Sequence, residues 1–129
     1  MIYLADTHAL VWYLNEDANL SAEAKSIFEK AEQGEITIII PTISLLELLF
    51  ICKKKKYLLQ FKALLQKMNE TISYAIYDLD FQVVMACTEL DNIPEIHDRV
   101  ITATAILTGA TVITNDEDIC RSGYVPILW

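Results

Sequence analysis

Along this chain, short and nearly unbroken apolar runs alternate with longer runs whose apolar positions recur every three or four residues. MIYLAD predicts a buried strand ending at Asp6, and THALVWYL predicts a helix with Ala9, Leu10, Trp12, Tyr13 and Leu14 turned inward. LSAEAKSIFEKAEQG carries a Ser21 cap and a Gly34 stop, a strong helix signal. EITIIIP reads as a strand closed by Pro41, and TISLLELLFICKKKK as a helix. YLLQFKALLQKMN, apolar at 58, 61, 64, 65 and 68, predicts another helix. A strand (ISYAIYDL), a helix (DFQVVMACTEL) and a helix stopping at Gly109 (HDRVITATAILTG) follow. ATVITND reads as a strand and DEDICRS as a short helical turn. YVPILW is the last strand, its Pro126 marking an edge or a strand end.

Alternation of this kind, with strands apolar along their whole length, predicts a three-layer α/β/α sandwich around a mainly parallel sheet covered on both faces. In such folds the functional site lies beyond the carboxyl ends of the strands, where the strand order reverses. The length, 129 residues, suits one domain spanning 1–129. The three Gly and three Pro predict short loops.

Composition narrows the function. Hydrophobic residues make up 53% and charged residues 22%, which excludes a disordered chain. No apolar run approaches the ~20 residues of a bilayer span. The start lacks the basic and apolar segments of a signal peptide, so a cytoplasmic location is expected. Cys52, Cys87 and Cys120 are odd in number, widely spaced and remote in sequence from His8 and His97. That excludes a disulfide framework and a zinc site, and predicts small buried apolar residues. The net charge of −8 argues against non-specific binding to a polyanion, unless some carboxylates converge on divalent cations that supply the positive charge.

Candidates for such a cluster stand where the fold would bring them together. Asp6 closes the first strand, Asp116 closes a later one in VITNDED, and Asp98 opens the helix DRVITATAIL. Each has an ordinary explanation as a helix N-cap. Glu47 does not, because ISLLELLF is apolar nearly all round, and a buried glutamate without a partner costs several kcal/mol or stays protonated. The ordinary readings of Glu47 are a solvent-facing slot or a buried arginine partner. Outside the lysine-rich middle and the helix at 21–33, the only candidate cations are Arg99 and Arg121, so a shared metal ion is the simpler compensation. Carboxylates without histidine or thiolate make a hard, all-oxygen site suited to Mg²⁺ or Mn²⁺. Such an ion supplies activated water and charge for phosphodiester hydrolysis.

These same segments carry a resemblance. YLADTHALVWYL resembles the Asp-Thr opening strand of PIN-domain ribonucleases of the VapC toxin type. PTISLLELLF resembles their Ser-x-x-Glu segment, and IHDRVITATAILTGATVITNDEDI resembles their third-acid helix and the strand ending in Thr-x-Asp. GYVPILW resembles the tail of a subgroup that also opens with Asp-Thr-His-Ala-Leu. Each motif alone is weak; the four in order, with suitable spacing, span the whole chain. The resemblance implies that Asp6, Glu47, Asp98 and Asp116 form a metal-binding acidic site in a Mg²⁺- or Mn²⁺-dependent endoribonuclease. It also implies an RNA substrate, often tRNA or rRNA, a small antitoxin seated near the site, and a homodimer. The Thr-x-Asp match selects Asp116 over Glu117 and Asp118, leaving Asp118 to cap the short helix or join an outer shell.

Thr7 and Thr114 carry strand-end hydroxyls suited to orienting carboxylates or water, and Thr102 lies one turn after Asp98. His8 and His97 each neighbour a key aspartate and are read as first-turn packing or hydrogen-bonding groups. Arg99 divides evenly between holding a phosphate and orienting a carboxylate. KKKKY at 53–57 is the one basic cluster, read first as a solvated helix end and second as an RNA contact. Trp12, Tyr13 and Trp129 are read as core or dimer-interface residues, since their spacing gives no support to a base-stacking platform. Rival functions are an aspartyl phosphotransferase, a PIN nuclease of RNA processing with no toxin role, and a catalytically idle binding module. The first is disfavoured because Asp6-Thr7-His8 offers no second acid and no lysine follows position 67.

Overall fold

The computed structural model describes residues 1–55 and 58–129; of Leu58 and Leu59 it describes the backbone alone. The expected helix start at Tyr57 and the Lys56–Tyr57 end of the basic run lie outside the described residues.

Five strands, β1 (Ile2–Ala5), β2 (Thr37–Pro41), β3 (Tyr74–Tyr77), β4 (Thr111–Ile113) and β5 (Ile127–Leu128), form one sheet in the order β3-β2-β1-β4-β5. Every pairing is parallel, so the sheet is wholly rather than mainly so. The chain runs outward from β1 through β2 to β3, then crosses to β4 and β5 on the other side. The order therefore reverses between β1 and β4, and a crevice opens at their carboxyl ends. Pro126 precedes β5, the edge strand, where a missing N–H breaks no ladder.

Helices α1 (Thr7–Leu14), α2 (Ala22–Glu32), α3 (Thr42–Lys54) and α4 (Leu58–Glu70) occupy the first half of the chain. The second half holds α5 (Phe81–Cys87), α6 (Ile96–Thr108) and α7 (Glu117–Ser122). Side chains alternate across the strands and so build two cores. Tyr3, Ala5, Ile38, Ile40 and Ile113 face α1–α4, meeting Leu10, Phe28, Leu48, Phe61 and Met68. Leu4, Ile39 and Val112 face the other way, onto Ile101 and Ala105 of α6 and Ile119 of α7. This is the expected α/β/α sandwich, with α5 packed outside α6 through Val83, Val100 and Ala103.

Local chemistry sets the helix ends. Ser21 Oγ accepts from Ala24 N at 3.0 Å, and Asp80 Oδ1 from Val83 N at 3.0 Å. Gly109 closes α6 in the left-handed region at φ 68°, where a side chain would be strained.

Three expectations are corrected. Asp98 does not open its helix: α6 begins at Ile96 with Glu95 as its cap, because the Glu95 carboxylate accepts from the free N–H of Asp98 and leaves Asp98 within the first turn. The cysteines are not buried: Cys52 and Cys87 are half-buried and Cys120 is exposed on α7. Trp12 does not turn inward with Ala9 and Leu10; it is half-buried, while Tyr13, Leu14 and Trp129 pack on the first core.

Candidate metal centre

Asp6, Thr7, Glu47, Asp98 and Asp116 line one cleft of about 270 Å³ with His8, Glu95, His97 and Ile101. It lies at the reversal of strand order. Asp6 follows β1 and Asp116 follows β4, and the Asp6 N–H bonds the carbonyl of Ile113 at 3.2 Å, tying the two strand ends together. Glu47 comes from the middle of α3 and Asp98 from the first turn of α6.

Both oxygens of Asp6 are held. Oδ1 accepts from Ala9 N at 2.7 Å, capping α1, and Oδ2 accepts a short bond from the buried Thr114 hydroxyl. Thr114 Oγ1 in turn accepts from Asp116 N at 3.0 Å, and Asp116 Oδ1 caps α7 through Ile119 N at 3.0 Å. The Thr7 hydroxyl donates to Glu47 Oε1 at 2.7 Å. Both threonine hydroxyls thus donate to acidic side chains of the cleft. Capping and site-building are not alternatives here, because one oxygen of Asp6 or Asp116 serves the cap and each carboxylate still reaches the cleft.

The electrostatics are those of crowded like charges. Burial and the neighbouring carboxylates of Asp116, Glu95, Glu47 and Asp6 push Asp98 up to about 7. Burial also raises Asp6, against the opposing pull of the Thr114 hydroxyl and the Ala9 N–H. Among the described residues, no Lys or Arg lines the cleft. Asp98, Asp116 and Asp118 each offer an oxygen within 4.8 Å of the others, so Asp118 stands with them as a group able to hold an ion. An all-oxygen donor set with excess negative charge fits a hard divalent cation.

A model of the PIN domain matches residues 3–123. The chain belongs to the PIN domain family. No curated protein matches the sequence. Solved structures of similar fold include VapBC2 from Rickettsia felis bound to a promoter DNA fragment, 24% identical with TM-score 0.77 over 99% of this chain and 98% of the other. DNA-bound VapBC from Salmonella typhimurium is 18% identical with TM-score 0.74, over 99% and 97%. FitAcB from Neisseria gonorrhoeae is 19% identical with TM-score 0.71, over 100% and 97%.

Within this PIN domain the remaining candidates fall into place. Arg99 faces neither a carboxylate nor the cleft with its Nε, which donates to the carbonyl of Ile93 and pins the loop before α6. Thr102 is fully buried, and its hydroxyl has no hydrogen-bond partner. His97 Nδ1 lies 2.7 Å from Glu95 Oε1, the hydrogen-bonding role expected of it. Glu95 itself escaped the sequence reading. It caps α6 by accepting from Asp98 N at 3.0 Å, and it adds to the charge around Asp98. Burial raises the Glu95 carboxyl, but the N–H groups of Asp98 and His97 outweigh that and hold it below its ordinary value. Glutamate is not among the favoured cap residues, so no local signal marked it.

Proposed function

We propose that this PIN domain is a cytoplasmic Mg²⁺- or Mn²⁺-dependent endoribonuclease and the toxin of a toxin–antitoxin pair. The observation that carries the reading is the convergence of Asp6, Glu47, Asp98 and Asp116 on one cation-poor cleft at the switch point of the sheet. In it, Asp98 and Asp116, joined by Asp118, hold the ion, while Asp6 and Glu47 complete the acidic wall. Such an ion, when bound, polarises a phosphodiester and lowers the pKa of attacking water. The Thr114 and Thr7 hydroxyls fix Asp6 and Glu47, so the acidic wall keeps its geometry through the reaction.

The toxin role draws on the fold shared with VapBC and FitAcB complexes. An apolar groove of about 610 Å³, lined by Val11, Leu14, Leu48, Phe61 and Leu64, suits an apolar antitoxin segment. Leu46 and Phe50 of α3, with Phe81, Val84 and Met85 of α5, are large exposed apolar residues suited to a homodimer interface.

The test is sequencing of newly formed RNA 5′ ends after brief induction in cells, wild type beside Asp98→Asn. Ends at a few positions, in tRNA, rRNA or elsewhere, seen with wild type alone, are the expected result and name the substrate. Identical profiles from soluble proteins expressed without antitoxin overturn the reading in favour of a binding module.

A further inference from the structure

Among the described residues the cleft has no lysine or arginine in its lining, so an ion alone leaves little to hold a nucleic-acid chain there. An aromatic row begins at its rim. His8 is exposed and lines the cleft, and its ring centroid lies 5.8 Å from that of Trp12, tilted by 42°. Trp12 in turn meets Trp129, from the end of the chain, at 5.7 Å and 64°.

Two observations separate Trp12, the middle of this row, from ordinary packing. Tyr13, next to Trp12 on α1, stacks flat on the core residue Phe28 at 4.4 Å and 9°, using its ring face against the core. Val11, Tyr13 and Leu14 all pack on that core, whereas among the described residues Trp12 belongs to no core cluster and is only half-buried. The contacts within the row are tilted and edge-on, and both tryptophans stay half-buried, Trp129 with one side on the first core, so neither ring is fully covered. Base stacking on such faces is tolerant of sequence and contributes about 1–3 kcal/mol per base.

We propose that His8, Trp12 and Trp129 form a platform on which bases of single-stranded RNA stack, holding the chain beside the acidic cleft. The inference rests on the ribonuclease reading above and names how that site grips its substrate. It replaces the positive charge that the cleft lacks with π-surface, which a chain of net charge −8 needs more than a basic protein does.

Trp12 and Trp129 are the chain's only tryptophans, so emission excited selectively from tryptophan, beyond the absorption of the six tyrosines, reports on the platform. The experiment titrates a decamer of oligoadenylate, and its abasic counterpart, into Asp98→Asn protein with Mg²⁺, where no cutting is expected. Saturable quenching by the decamer, absent with the abasic chain, is expected. Anisotropy of the labelled decamer then compares side chains in the same background. Trp12→Phe and Trp129→Phe should bind within about twofold of the parent, and Trp12→Leu and Trp129→Leu about tenfold more weakly. Circular dichroism checks that each variant folds, and either leucine variant keeps the test available if the other does not fold.

No binding, binding without a change in emission, or folded leucine variants that bind like the parent would each overturn the platform. So would leucine variants that lose self-association or a protein partner while keeping RNA affinity. Cleavage by the otherwise wild-type protein in Mn²⁺ is read separately. If the platform binds as expected and no RNA is cut, the nuclease reading falls and the RNA-binding surface stands.

Discussion

A carboxyl raised to about 7 holds a proton in the folded protein that the unfolded chain, at 3.8, has already released. For Asp98 the sign follows directly. Its contribution to stability is fully present below about pH 4 and is lost as the pH rises through about 7, because the folded state must then carry the crowded charge. Asp98→Asn removes that penalty. In EDTA the variant should match wild type near pH 4 and exceed it by on the order of 1–2 kcal/mol at pH 8, less than the full shift implies because the side chain is partly open to solvent. Urea unfolding at the two pH values measures the difference; a constant difference would contradict the crowding. At this scale the sequence exposed the acids but not their handling. Glu47 stood out because its helix is so apolar, and Thr7 and Thr114 because hydroxyls adjoin strand-end aspartates. That Arg99 turns to a loop carbonyl, and that Glu95 rather than Asp98 caps α6, depends on the path of the 91–95 loop, which no local pattern fixes.

The elements were largely legible because most are bounded by strong chemistry: Ser21, Pro41 and Gly109 stop or start what they were expected to, whereas β4 ends at Ile113 rather than Asp116, and Asp116 rather than Asp118 caps α7. Gly109 offers a clean test of one such boundary. A Cβ there would touch nothing within 4 Å, so the cost of Gly109→Ala is the left-handed φ alone. It should lower unfolding free energy by about 1 kcal/mol and leave Mn²⁺ affinity unchanged, since Asp98 sits at the opposite end of α6, about 15–20 Å away. Denaturant unfolding and a calorimetric Mn²⁺ titration check both halves. Trp12 shows where element-level reading fails. Helical spacing placed it with Ala9 and Tyr13, yet its neighbours fill the core, and Trp12 instead meets rings from His8 and from the chain's far end.

For the whole molecule, the decisive fact is the order β3-β2-β1-β4-β5. Alternating strands and helices announce a parallel sheet, and a parallel sheet announces a site at its carboxyl edge. The position of the reversal, between β1 and β4, is a tertiary property, and it is what sets Asp6 beside Asp116 although 110 residues separate them in sequence. α3 and α6 then contribute Glu47 and Asp98 from opposite sides of the chain's midpoint. The account stands on those carboxylates acting together through a divalent ion. The most direct measurement is incubation of purified protein with total RNA in Mn²⁺ or in EDTA, wild type beside Asp98→Asn, with the products resolved by size. Discrete fragments from wild type in Mn²⁺ alone, and intact RNA in every other lane, are predicted. Cutting by wild type in EDTA, or by Asp98→Asn at the wild-type rate, would contradict the account.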